Sequence, residues 1–127
     1  MNENELSKHI VDAALTVHRA LGPGLLESVY EHCLAFELRE RRLQVLQQQA
    51  LPAHYKGVAL DLGFRIDIWV DGKVVVEVKA VDALNDVHLA QVLTYLKLSG
   101  NTLGLLVNFN VVLLKSGIRR VVNGLSE

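Results

Sequence analysis

Three charged residues stand where charge is costly. Asp67 interrupts the run Phe64-Arg65-Ile66-Asp67-Ile68-Trp69-Val70, and Glu77 and Lys79 interrupt Val74-Val75-Val76-Glu77-Val78-Lys79. Both runs are rich in β-branched and apolar residues, so they read as strands in the middle of a sheet. A buried charge there is expensive unless it is paired or bound to a metal. Two carboxylates brought together would suit a hard divalent cation, which prefers oxygen ligands and keeps several waters of its own. The competing reading is a structural ion cluster at the end of a sheet.

Whether the carboxylates meet depends on the turn at Asp71-Gly72. A two-residue loop would pair Val70 with Lys73 and put Asp67 and Glu77 on opposite faces. A three-residue loop changes the parity. Phe64, Ile66, Ile68 and Val70 then share a face with Val74, Val76 and Val78, while Arg65, Asp67 and Trp69 share the other with Val75, Glu77 and Lys79. Register follows the hydrophobic pattern, so the odd loop is preferred. It places Asp67 diagonal to Glu77. A turn with Gly72 in the left-handed position suits such a loop.

The elements that must position this hairpin are legible around it. Leu6, Ile10, Ala13, Val17 and Leu21 form one helical stripe, closed by Gly22-Pro23-Gly24. A second helix runs from about Leu26 to Arg42, with Val29, Tyr30, Cys33, Leu34 and Leu38 as its apolar positions and Glu27 in its first turn. Leu43 to Leu51 is a strand closed by Pro52, and Tyr55-Lys56-Gly57 a turn or irregular edge. A third helix spans about Asp86 to Ser99, with Val87, Leu89, Ala90, Val92, Leu93 and Leu96 buried. Its His88, Gln91 and Tyr95 fall on one stripe. Leu103 to Asn108, Val111 to Leu114 and Ile118 to Val122 read as further strands. The order αα-βββ-α-ββ, with a last short strand beyond it, describes a mixed α/β or α+β sandwich with a central sheet; of these the α/β fold, a central mixed β-sheet flanked by helices, is the expectation.

The chain has 127 residues, half of them hydrophobic and 21% charged. That is enough for one core and fits a single domain over residues 1–127. Thirteen Lys and Arg against 14 Asp and Glu leave a formal charge of −1, which excludes a generally basic nucleic-acid binder. The single cysteine, Cys33, excludes a disulfide framework and a Cys-rich zinc site, and within a helix stripe it reads as buried and inert. The acidic, polar start is neither a secretory signal nor a transit peptide, and no apolar run approaches the roughly 18 residues of a membrane span. A cytoplasmic protein without membrane contact is the expectation. His9, His18, His32 and His54 show no ligand spacing. Tyr55, Lys56, Lys115, Arg119 and Arg120 read either as a basic rim for phosphates or as a solvated strand edge.

Asp67 followed by Glu77-Val78-Lys79 on a β-hairpin resembles the PD-(D/E)XK nuclease-like superfamily. Gln91-Val92-Leu93-Thr94-Tyr95 resembles the Q-x-x-x-Y element of its RecB-like exonuclease branch. Gly24-Leu25-Leu26-Glu27-Ser28-Val29-Tyr30 is a copy of the motif that names the GxxExxY protein family. Tyr55-Lys56-Gly57, Gly63-Phe64-Arg65-Ile66-Asp67 and Val107-Asn108-Phe109-Asn110 are similar to that family too. Ile66 stands where the superfamily name has Pro.

The resemblance implies a restriction-endonuclease-like core and a metal-dependent nuclease that hydrolyses phosphodiester bonds of DNA or RNA. Asp67 and Glu77 would be metal ligands, with the Val78 carbonyl and Glu27 adding to the set. Lys79 would orient or help deprotonate the attacking water. Gln91 and Tyr95 would position the substrate or the Lys79–Glu77 pair. Mg2+ or Mn2+ would be the cofactor, supplying a nucleophilic water and neutralising charge on the phosphate. For Glu27 the plainer reading is a helix-start carboxylate complementing the dipole, and for Gln91 and Tyr95 a solvated stripe. His88 reads as a polar helix-face residue. A homodimer, meeting through the strand near Val111 to Val122, is the expected assembly. The alternative function is a catalytically silent nucleic-acid- or protein-binding module on the same fold. The low net charge favours that module, and the intact acidic pair with its lysine favours the nuclease.

Overall fold

The computed structural model describes residues 1–60 and 64–125. Gly63 of the quoted Gly63-Phe64 stretch lies outside them. Helix α1 spans Glu3–Leu21 and is started by a capping box, in which the Asn2 side chain accepts from Glu5 N–H and Glu5 accepts from Asn2 N–H. Its buried stripe is Leu6, Ile10, Ala13, Ala14 and Val17, while Leu21 is exposed. Helix α2 spans Glu27–Glu40 and buries Tyr30, Glu31, Leu34, Ala35 and Leu38. It is shorter than the periodicity suggests, because Leu26 is its N-cap and Arg42 takes a positive φ.

Strands β1 (Val45–Ala50), β4 (Arg65–Val70), β5 (Val74–Lys79), β6 (Leu103–Asn108) and β7 (Ile118–Val122) form one sheet in the order β1-β4-β5-β6-β7. Only β5 and β6 are parallel. Their crossover is helix α3 (Asp86–Ser99), as a parallel connection requires. This is the α/β, mixed-sheet architecture of a restriction-endonuclease-like fold. Strands β2 (Ala53–Tyr55) and β3 (Val58–Leu60) make a separate hairpin; of the turn or irregular edge expected at Tyr55-Lys56-Gly57, the turn is what forms.

The sheet separates two cores. Helices α1 and α2 cover one face and pack on Ile68, Val70, Val74, Val76, Val78, Leu103, Leu105 and Val107. Helix α3 covers the other, where Val92, Tyr95 and Leu96 are buried but Val87 is 75% exposed and Ala90 faces solvent. The helix lies close on β6 because Gly104 leaves room: a Cβ there would stand 2.6 Å from Val92 Cγ1.

The expected strand over Val111 to Leu114 does not form. Strands β6 and β7 are antiparallel neighbours, and residues 109–117 are the connection between them, ending in a short 3-10 helix, Leu114–Gly117. Val112 and Leu113 are exposed within it. The base of this loop is nonetheless held. His18 Nε2 donates to the Val111 carbonyl at 2.8 Å, and Phe109 stacks on Tyr30 with ring centroids 4.6 Å apart. The Tyr30 hydroxyl donates to the Gly22 carbonyl (2.5 Å) and accepts from Leu25 N–H (3.1 Å). One fully buried side chain therefore ties the α1–α2 turn to the start of α2 and to the end of β6.

Tyr30→Phe keeps the stack and loses both hydroxyl bonds, so urea unfolding should show a loss of about 1–2 kcal/mol. Tyr30→Ala also opens a cavity, and about 3–5 kcal/mol is expected.

Candidate active site

The β4–β5 hairpin turns through three residues. Val70 pairs with Val74, Trp69 with Val75 and Ile68 with Val76, so the odd loop is the one that forms. Asp71 and Gly72 carry the positive φ values the turn needs. Continued by one step, this register sets Asp67 directly opposite Glu77, not diagonal to it. The regular ladder stops there. Asp67 N–H donates to Glu77 Oε2 at 2.8 Å, and Val78 N–H donates to Asp67 Oδ2 at 2.9 Å. Each carboxylate takes a backbone donor from the opposite strand, and the strands part.

A second irregularity lies opposite on β1. Gln47 pairs with Ile68 and Gln49 with Ile66, while Gln48 between them has φ +50°. The double break changes which core the start of β4 joins. Ile66 is buried with Leu51, Val75, Tyr95 and Leu96, and Phe64 meets the Tyr95 ring edge-on at 6.3 Å. The expected single apolar face from Phe64 to Val70 is thus corrected: Ile68 and Val70 face α1 and α2, but Phe64 and Ile66 pack toward α3.

Where the strands part, both helical layers reach the hairpin. Glu31 of α2, 8% exposed, accepts from Gln48 Nε2 at 2.6 Å and from Gln47 Nε2 at 3.0 Å. The same Gln48 nitrogen donates to Asp67 Oδ1 at 3.1 Å. Glu27, one turn before Glu31, is largely exposed but feels the charges of Lys79 and Asp67 and the N–H of Ala80. From the other layer, Gln91 Oε1 accepts from Lys79 Nζ at 3.3 Å. Tyr95 is buried beside Gln91 and the backbone of Arg65, and feels the charges of Glu77 and Asp67. Each of the six side chains singled out in the sequence, Glu27, Asp67, Glu77, Lys79, Gln91 and Tyr95, is linked to at least one other of them by a hydrogen bond or by electrostatic interaction. His88 does not join them: its Nδ1 accepts from Asn85 N–H, and Asn85 caps α3 in return.

Sequence reasoning missed Glu31, Gln48 and Asn108. Glu31 had a signal, standing four residues after Glu27 and so one turn along the same helix face. Gln48 had none within Gln47-Gln48-Gln49. Asn108 is buried and anchors the segment after Lys79: its side chain accepts from Val81 N–H and donates to the Val81 carbonyl, while Phe109 N–H donates to the Lys79 carbonyl. Cys33 is half-buried, not buried. The basic residues do not form one rim. Tyr55 and Lys56 lie on the β2–β3 hairpin, whereas Lys115, Arg119 and Arg120 lie on or just before β7, at the opposite edge of the sheet.

Burial dominates the electrostatics. Glu77, 2% exposed, is pushed up to about 8 by burial and by the negative charge of Asp67, against the pull of Asp67 N–H and Lys79. Asp67 is also raised by burial, which the Val78 N–H, Gln48 and Lys79 only partly offset. Partial desolvation raises Glu27. Crowded oxygen ligands that resist carrying charge together fit a hard divalent cation, which would favour their ionised forms. Among the described residues, no three His, Cys, Asp or Glu side chains form a ready-made cage. A cation that keeps most of its waters needs only one or two carboxylates.

A family model of the PD-(D/E)XK nuclease superfamily matches residues 4–121. The chain belongs to this superfamily. No curated protein and no solved structure compared with it gave a match. The superfamily generally uses divalent metals, which agrees with the donor set. Among the described residues no helix is long and apolar enough to cross a membrane.

The raised carboxyls have a signed consequence for stability. Glu77 binds its proton more tightly folded than unfolded, so its contribution is full below about pH 4.5 and is lost as pH rises through about 8. In chelator, the thermal midpoint of the protein should fall between pH 5 and 9. Glu77→Gln, which keeps an acceptor for Asp67 N–H, should flatten that fall and be the more stable protein at pH 9. Equal slopes in the two would contradict the assignment.

Proposed function

We propose that this chain is a divalent-metal-dependent nuclease that hydrolyses phosphodiester bonds of DNA or RNA. The observation that carries the reading is the meeting of Asp67, Glu77 and Lys79 with Glu27 from one helical layer and Gln91 from the other. Residues 1–127 would act as one domain. The Gly24-x-x-Glu27-x-x-Tyr30 motif supports the narrower assignment to the GxxExxY kind, because it gives Glu27 a place at the site and Tyr30 the task of fixing it.

Asp67 and Glu77 would hold Mg2+ or Mn2+, with the Val78 carbonyl and Glu27 completing the protein's share. Bound there, the cation would supply an activated water and neutralise charge on the phosphate. Lys79, steadied by Gln91, would orient that water and offset negative charge as it builds. Tyr95 would pack under Gln91 and keep its amide aimed at Lys79. A single free thiol suits a reducing compartment such as the cytoplasm, and pairing of two copies would suit cleavage of two strands.

A binding module without catalysis is favoured by one observation: both Asp67 oxygens and Glu77 Oε2 are already engaged with backbone N–H groups and Gln48. Cleavage assays separate the two readings. With Mg2+ or Mn2+, the protein should cut single-stranded, double-stranded or structured DNA or RNA. Asp67→Ala should reduce the rate below detection, and Lys79→Ala should lower it about a hundredfold or more, while circular dichroism reports an intact fold. Activity that survives both substitutions would sink the assigned site. Binding without any cleavage would support the module.

A further inference from the structure

Strands β1 and β4 end beside the site, and the chain between them is the small β2–β3 hairpin. Ala50 pairs with Arg65, and Leu51 N–H donates to the Phe64 carbonyl at 2.8 Å, so the hairpin, which begins at Ala53, stands at the Asp67 end of the sheet. Its base is anchored: Ala53 is buried and Leu60, its partner, half-buried. Its tip is bare. Tyr55 is 64% exposed, Lys56 and Val58 are exposed, and Lys56 Nζ lies 5.5 Å from the centre of the Tyr55 ring. Neither side chain contributes to either core.

The turn makes this placement less accidental. Tyr55 pairs with Val58 across a two-residue loop in which Lys56 has φ +51° and Gly57 φ +78°. Such a loop is ordinarily built from Asn-Gly or Gly-Gly, because an L side chain is strained at a left-handed position. Lysine occupies that position at a cost in stability, and its ammonium is thereby held out at the tip beside an aromatic face. An exposed ring with an adjacent cation is the chemistry that grips a single nucleic-acid strand: bases stack on the ring whatever their sequence, and the cation meets the phosphate.

We propose that the β2–β3 hairpin is the arm that holds a single nucleic-acid strand at the site, Tyr55 stacking on an unpaired base and Lys56 meeting the adjoining phosphate. This rests on the nuclease reading and adds to it the preferred substrate form and the residues that select it. The acidic centre repels phosphate until its charge is neutralised, so a strand must be held from outside, and this arm leaves the sheet from the strand ends nearest that centre.

The test is fluorescence anisotropy in an Asp67→Asn background, with a labelled single-stranded DNA of mixed sequence, the matching RNA and the matching duplex as probes. Tyr55→Ala should weaken single-strand binding about tenfold and duplex binding much less. Tyr55→Phe should restore it. Lys56→Gly relieves the strained turn, so its thermal midpoint should hold or rise, yet it should bind more weakly and lower the slope of log affinity against log salt by about 0.7. A merely structural Lys56 would give tighter or unchanged binding and an unchanged slope. Parent-like single-strand binding by Tyr55→Ala and Lys56→Gly would overturn the arm while leaving the nuclease reading standing. Equal losses on strand and duplex would overturn the stacking role. If the parent bound none of the probes and the wild type cut none, the nuclease reading itself would fail.

Discussion

Two backbone hydrogen bonds organise this molecule. Asp67 and Glu77 sit opposite each other in a sheet, and each accepts from the other strand's backbone N–H. Regular pairing would give those N–H groups to carbonyls and leave the buried carboxylates without them, and unpaired N–H groups in a buried place are costly. The exchange answers both demands. It opens the hairpin just enough to admit side chains from the helices while leaving no donor stranded. The cost appears in the carboxyls, both held above their usual range by burial.

An opening in a sheet is useful only if its surroundings stay put, and two side chains see to that. Tyr30 joins the α1–α2 turn, the start of α2 and Phe109 through one ring and one hydroxyl. Its own helix carries Glu27 one turn before it and Glu31 beside it. Asn108, at the end of β6, grips Val81 through both backbone atoms and so fixes the chain leaving Lys79. The same Phe109 that stacks on Tyr30 donates its N–H to the Lys79 carbonyl. The acids of α2 and the lysine of β5 are therefore referenced to one aromatic pair.

Much of this was legible in the chain. Alternation settled the parity of the β4–β5 loop, because only the odd loop gathers the charges, and helix α3 and strands β6 and β7 have the expected bounds. What escaped was local backbone geometry. Nothing distinguishes Gln48 from its flanking glutamines except a φ of +50° that the fold imposes. That break, with the parting at Asp67, sends Ile66 to the opposite core from Ile68, which strict two-residue alternation cannot foresee. The loop after β6 failed differently. Its Val111-Val112-Leu113 run looks like a strand, but β6 and β7 already pair with each other and residues 109–117 only connect them.

A formal charge of −1 says little about a site whose acids are held above their usual range by burial. Burial pushes Glu77 up to about 8 and raises Asp67 as well, so the pair beside Lys79 resists carrying two negative charges. A divalent cation bound there would favour the ionised carboxylates and displace protons from them. Gln48 couples Asp67 to the buried Glu31, so further negative charge stands behind the pair. A phosphate approaching this centre without a cation meets more repulsion than attraction. Whatever first captures a polyanion must therefore lie outside the acidic cluster, as Lys56 does on the hairpin beyond β1 and β4 and as Lys115, Arg119 and Arg120 do on or just before β7.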